Sequence, residues 1–492
     1  MRTILFLLPA LQEVLSQDLR QIKYSLFPPL SLLTLAGLVP RDRYRMLVRD
    51  EHVEDVIVDE TVDLVVMTVY VSSARRAYQL SDYYGARGAK VFLGGIHPTT
   101  LPEEAAQHAD SVCLGPGESV FLHMLEDFEA GRLKKQYHGY RDTNLSNVPM
   151  ARRELMNQSK YLVPNTMVAS RGCPYCCDFC YKESFWGRDY HAFRPLSEIK
   201  KELYTFRHQF VFFLDDNLLG NRREARRFFA LLREYDFVWQ ASASLDAAYT
   251  PGFLEEAYDC GCRSLFVGFE SVIKANMEHA HKPQNRKYDY AEAIRRFHDA
   301  GIMINGSFVY GFDGDDADIF ARTVEFAIEN KIETATFHIL TPFPKTRLFA
   351  TLEQEGRILH RDWDKYDTRH VVFQPKRMTK VQLEEGYWWS YKEFYRYGSI
   401  IRRSVGLPNP LKRILYNVAW KKMDPLWDWA IGHNLIEHVL PAFEFALARE
   451  TSPRKRQQDA QWTRRATPDS ERNCGGPSGV EAGVDGSRTH HG

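Results

Sequence analysis

The apolar positions of this chain fall into two series of short, almost unbroken runs. The first comprises "TILFLL" (3–8), "RMLVRD" (45–50), "DLVVMTVY" (63–70), "KVFLGG" (90–95) and "SVCLG" (111–115), separated by segments of helical spacing such as "PLSLLTLAGLV". A strand that meets water on neither side shows no polar alternation, so such runs between helices predict a parallel sheet covered on both faces. The second comprises "TMVASRG" (166–172), "FVFFLDD" (210–216), "VWQASAS" (238–244), "SLFVGFE" (264–270), "INGSFVYGF" (304–312) and "TATFHILTP" (334–342), alternating with helices such as "NRREARRFFALLREY". Six such units predict a (βα)6 partial TIM barrel, whose chemistry gathers in the loops beyond the strand C-terminal ends. The expected fold class is therefore α/β. A Rossmann-like parallel-sheet domain (1–140) precedes a linker (141–165), a partial barrel (166–372) and a mostly helical C-terminal region (373–450). Within that region Trp388, Tyr391 and Tyr395 stand at helical spacing and are expected in the core. Residues 451–492 are polar and rich in Gly, Pro, Arg and Ser, which predicts a disordered tail.

Composition narrows the function. The 492 residues are 44% hydrophobic and 26% charged, as in ordinary globular proteins. The 64 basic residues balance 64 acidic ones, against a chain built for electrostatic capture of nucleic acid. No stretch approaches the roughly 18 uncharged apolar residues of a membrane span. The opening run lacks a small-residue cleavage site and reads as a first strand, so a cytoplasmic protein is expected.

Of eight cysteines, four lie together in "GCPYCCDFCY" (172–181). In a chain of this size that crowding points to metal or redox chemistry in a reducing compartment. Two spellings compete. Cys173-x2-Cys176 beside Cys177-x2-Cys180 gives two zinc hooks, but abutting hooks would oblige one short loop to wrap the ion unaided. Cys173-x3-Cys177-x2-Cys180 gives three thiolates for three irons of a [4Fe–4S] cluster, one iron staying open and Cys176 a bystander. Position favours the second, because the segment follows the first strand of the barrel series. Cys260 and Cys262 sit in a helix-to-strand turn and are expected to be structural.

"CPYCCDFCY" after a first barrel strand resembles the cluster motif of the radical S-adenosylmethionine enzymes. The resemblance implies that Cys173, Cys177 and Cys180 ligate iron and that S-adenosylmethionine occupies the fourth iron. It also implies that Phe179 lies by the adenine, with Tyr181 beside it. Asp215, Asp216 and Asn217 are suited to the cofactor's ammonium, although Asp216 and Asn217 also read as a helix cap. Glu270 falls where the family places a ribose-binding acid, against the plain reading of a surface carboxylate. Ser242 can reach the methionine carboxylate or simply pack. "TPFPKT" resembles the family's T-P-x-P-G-T turn, with Lys345 where glycine is common.

The N-terminal series carries neither GxGxxG after its first strand nor GxxxxGK[ST]. Its glycines come late, Gly94 and Gly95 ending one strand and Gly115, Gly117 and Glu118 ending the next, where they let a bulky ligand approach backbone closely. "GGIHPTT…PEE…AD…GPGE", with "FPPLSLLTLAGL" and "VRDEHVE", resembles the cobalamin-binding domain that precedes the barrel in one class of these enzymes. The DxHxxG motif for a histidine ligand is missing, which implies cobalamin bound without one and leaves His52 and His97 structural or tail contacts. The resemblance covers about residues 1–400 and extends to the subgroup of bacteriochlorophyll and hopanoid C-methylases. It implies methylation of an unactivated carbon of a small molecule, with a flavodoxin- or ferredoxin-type electron donor. Cobalamin-assisted rearrangement or oxidative cyclisation, and a non-enzymatic zinc or corrinoid module, are the other readings.

Overall fold

The computed structural model of the chain describes residues 1–15, 26–58, 60–407 and 410–422. Strands β1 (Arg2–Leu8), β2 (Tyr44–Asp50), β3 (Leu64–Thr68), β4 (Lys90–Gly94), β5 (Ser111–Leu114) and β6 (Gln136–His138) form one sheet in the order β2-β1-β3-β4-β5-β6, parallel throughout. The unbroken apolar spelling of β1 has a direct cause. Ile4, Phe6 and Leu8 pack with Leu32, Leu33 and Phe121 on one face, while Leu5 and Leu7 pack with Ala77 and Leu80 on the other. The chain steps from β1 outward to β2, then back across to β3, and such a reversal opens a crevice at the strand C-terminal ends.

The run 166–172 does not form one strand. β7 (Thr166–Met167) enters the second sheet for two residues only, and the chain then turns into β8 (Ser170–Gly172), which pairs antiparallel with β9 (His191–Phe193). The cause lies one strand away: the buried Asp215 carboxylate accepts the backbone N–H groups of Ala169 and Ser170, drawing them out of the sheet. β10 (Phe210–Phe213), β11 (Val238–Ala243), β12 (Cys262–Glu270), β13 (Met303–Tyr310) and β14 (Thr334–Ile339) complete a parallel sheet in the order β14-β13-β12-β11-β10-β7. The barrel is open, with β7 and β14 at its edges.

An open sheet leaves edge N–H and C=O groups to be satisfied, and the C-terminal region does this for β14. Along helix Lys380–Phe394 the Tyr395 hydroxyl accepts from Ala335 N (3.0 Å) and donates to Ala335 O (2.8 Å). One turn earlier, the Tyr391 hydroxyl does the same with Phe337, at 3.1 and 3.2 Å. Both tyrosines pack on the barrel core as expected. Trp388 does not: it is 57% exposed, because Tyr387, Tyr391 and Tyr395 define the sheet-facing stripe and Trp388 stands one position out of phase. Residues 423–450 of the expected helical region, and the expected tail, lie outside the described residues. No helix among the described residues is long and apolar enough to cross a membrane.

Replacing Tyr395 by Phe strips two buried edge groups of their partner and should cost about 1–3 kcal/mol of stability in urea unfolding. An unchanged midpoint would show that the edge is satisfied without it.

Candidate active site between the two sheets

The cysteine loop runs from the ribbon to helix Lys182–Trp186 and is clamped from outside. Arg347, following β14, reaches the Cys176 carbonyl and pairs with Asp178 and Glu183, each at 3.1 Å. Leu348 N donates to Asp178 O (3.0 Å), and Asp178 N donates to Ala280 O (3.1 Å). The loop is therefore held at Cys176 by its backbone carbonyl. Burial pushes the Cys177 thiol up to about 12, opposed by the nearby Lys282 ammonium. Cys180 is raised by burial as well, opposed by Lys182. Such thiols stay protonated until a cation displaces the proton. Among the described residues, no group of three His, Cys, Asp or Glu side chains is gathered around a single metal position. Thiolates on different irons of one cluster stand further apart than thiolates sharing one ion.

The strand ends surround this loop. Asn217 donates to Cys173 Sγ (3.6 Å) and Ser244 Oγ (3.3 Å), and its buried Oδ1 has no partner. The helix-cap role falls instead to Asn221, which accepts from Glu224 N. Asp216 accepts from Gly172 N (3.1 Å) and pairs with Lys182 (3.0 Å). Both oxygens of Asp215 are engaged by Ala169 and Ser170. Ser242 is half-buried in β11, opposite Phe266 of β12. Glu270 is no surface carboxylate. It is buried, paired with Lys282, within 3.4 Å of Ser307 Oγ, and held at a φ of 62° where β12 and β13 slip register. A left-handed non-glycine residue at a strand end is a strained position of the sort that marks functional sites. Lys345 adopts a φ of 61°, so the turn keeps its glycine-like geometry with a lysine in place. Phe179 packs edge-on against Phe312, and Tyr181 against Phe343. Cys260 and Cys262 are buried, the former pushed up to about 12 by burial, and stand apart from the loop as structural thiols.

A cleft of about 280 Å³ joins the cysteine side of the molecule to the N-terminal sheet. Gly94, Gly95, Gly115, Gly117, Glu118 and Tyr70 line it from one half, and Ser170, Arg171, Tyr181, Trp186 and Asp216 from the other. It continues inward past Ser31, Leu35, Phe92, Phe121 and Met124. Gly95 has a φ of 99°, and a Cβ there would come within 2.9 Å of the Val69 backbone. His97 is fully buried, its Nε2 bonded to Tyr78 (2.9 Å) and Glu104 (3.1 Å). His52 is bonded to Asp50 (2.8 Å).

Residues 167–327 match the Radical SAM superfamily and residues 24–125 the B12 binding domain. Bacteriochlorophyllide d C-12(1)-methyltransferase of Chlorobaculum tepidum is 30% identical over 392 residues, 77% of this chain and 85% of that protein. The chain belongs to the cobalamin-dependent radical S-adenosylmethionine methyltransferases. Hopanoid C-2 methylase of Rhodopseudomonas palustris, another relative, is 31% identical over 226 residues, 44% of this chain and 42% of that protein. The solved cobalamin-dependent radical enzyme OxsB shares the fold with a TM-score of 0.62 at 14% identity, covering 96% of this chain and 82% of that one. The methyltransferase TsrM from Kitasatospora setae does so with a TM-score of 0.56 at 13% identity, covering 90% and 99%.

The family's cofactors are a [4Fe–4S] cluster, S-adenosylmethionine and cobalamin. The side chains present fit them. The cysteine loop offers soft donors whose proton a cation must replace, Asn217 leaves a buried acceptor unpaired beside Cys173, and the glycine-edged cleft opens into an apolar recess. The residues missed by sequence reasoning are the basic ones: Lys282 beside Glu270 and Cys177, Lys182 on Asp216, Arg171 on Glu118 and Arg347 on the loop. Each finds its partner elsewhere in the chain, where no local pattern points to it.

Burial raises the Asp215 carboxyl to about 6 against its hydrogen bonds from Ser170 and Ala169. The unfolded chain gives up that proton near pH 4, so ionising the group within the fold costs stability as pH rises from there to about 6. Relative to Asp215→Asn, which cannot titrate, the wild-type stability should fall by about 3 kcal/mol across this window and stay level above it. A difference that is flat or grows with pH would refute the assignment.

Proposed function

We propose that this enzyme methylates an unactivated carbon of a tetrapyrrole- or lipid-type small molecule, drawing electrons from a flavodoxin- or ferredoxin-type donor. The observation that carries the reading is a cleft lined by both the glycine loops of the N-terminal sheet and the residues flanking the cysteine loop. Named substrates of the relatives support the substrate class: bacteriochlorophyllides for two from Chlorobaculum tepidum, and a hopanoid for a third.

In this reading Cys173, Cys177 and Cys180 each hold one iron. Phe179, Tyr181, Asp215, Asp216, Asn217, Ser242 and Glu270 form the S-adenosylmethionine side, Asp215 by fixing the ribbon rather than by direct contact. Gly94, Gly95, Gly115 and Gly117 form the corrin side, with Glu118 at its edge. When bound, the three cofactors supply the reducing electron, the hydrogen-abstracting radical and the transferable methyl group. The protein positions and shields. Lys282 places a positive charge beside the cluster loop, where it favours thiolate and can meet the cofactor's carboxylate. The aromatic rings of Tyr181, Phe185 and Trp186 line the cleft and restrict water there, with Phe343 packed behind Tyr181.

Anaerobic reconstitution tests the ligand set. Cys177→Ala should bind little or no cluster iron, whereas Cys176→Ala should retain about four irons per chain. Equal iron in the two variants would overturn the assignment. Methyl-labelled S-adenosylmethionine with candidate substrates tests the reaction: label in the product is expected. Turnover without label would favour cyclisation, the activity named for relatives such as the anaerobic magnesium-protoporphyrin IX monomethyl ester cyclase of Cereibacter sphaeroides, 23% identical over 366 residues.

A further inference from the structure

We propose that Arg171 and Glu118 form a positioning clasp that couples corrin binding in the N-terminal cleft to the integrity of the cysteine loop. The clasp rests on the reading of the cleft as the cobalamin site. Glu118 sits in the turn Gly117–Ser119 that follows β5, and Arg171 is the middle residue of β8. Arg171 Nη2 and Glu118 Oε1 lie 2.7 Å apart, with side chains only 20% and 16% exposed, so water screens the pair far less than it would at the open surface.

The pair is held at both ends. The Arg171 guanidinium lies over the Trp186 ring (5.6 Å), which stacks on Tyr190 (5.5 Å, planes 10° apart). The ribbon carrying Arg171 is gripped from the barrel side, where Asp216 accepts from Gly172 N (3.1 Å) and pairs with Lys182 immediately beyond the cysteine loop. Arg171 is thus tied through Gly172 to Cys173 at one end of the loop, and through Asp216 and Lys182 to Cys180 at the other. Glu118 is tied to the glycine turn that borders the cleft. Arg171, Glu118, Trp186 and Asp216 all line that cleft. The ordering of either site therefore presents the other with half of a preformed ion pair. Coupling of this kind is reciprocal: a cluster that fixes the ribbon tightens corrin binding by the factor with which corrin stabilises the cluster.

The test is the dissociation constant of hydroxocobalamin, read by absorbance titration, on cluster-free and cluster-loaded full-length protein. Wild type should bind about 5-fold or more tightly once the cluster is in place. Arg171→Glu or Glu118→Arg alone should bring the ratio close to one, and the charge-exchanged double variant should recover most of it. Glu118→Gln, which preserves size, should lower the ratio as the reversals do. A wild-type ratio of one, a ratio unmoved by Glu118→Gln, or single effects that simply add in the double variant would each overturn the clasp. Failure of wild type to bind hydroxocobalamin in either state would instead overturn the reading of the cleft.

Discussion

Much of this molecule hangs on one buried carboxylate. Asp215 sits at the end of β10 and can be buried there only because Ala169 and Ser170 turn their N–H groups toward it. That demand takes the chain out of the barrel sheet after two residues and creates the ribbon, and the ribbon presents the cysteine loop. The loop itself is gripped from outside at Cys176, Asp178 and Glu183.

The same geometry explains how two open sheets, each with its ligand edge at the strand C-terminal ends, come to share one cleft. The N-terminal sheet brings glycines, because bulky ligands need bare backbone at close range. The barrel brings charge, Glu270 against Lys282 and Asp216 against Lys182, and its Arg171 meets Glu118 of the N-terminal sheet. Buried or half-buried pairs of this kind add little net stability but fix geometry strictly, as cofactors that must react together require. The C-terminal helix plays the complementary part, closing the open edge of the barrel with two tyrosine hydroxyls.

What the amino-acid pattern makes legible is what depends on neighbouring residues. Unbroken apolar runs announce the strands of both sheets, and CxxxCxxC announces the loop. The short β6 escapes because "QYH" carries no run at all. The split of 166–172 escapes because its cause, Asp215, lies 45 residues away from Ser170. Helical spacing places Tyr391 and Tyr395 correctly but not the exposed Trp388, since a stripe so rich in aromatics leaves the phase of the helix undetermined. Ion pairs are the least legible: Arg171 and Glu118 are 53 residues apart, Arg347 and Cys176 are 171 apart, and nothing local in either partner names the other.

Cluster and cobalamin are expected to meet in one cleft, and electron paramagnetic resonance reads that directly. Protein carrying a reduced [4Fe–4S] cluster together with cob(II)alamin should show magnetic coupling between the two spins, visible as broadening absent when either cofactor is loaded alone. Two independent, unbroadened signals from fully loaded protein would place the cofactors apart and contradict it.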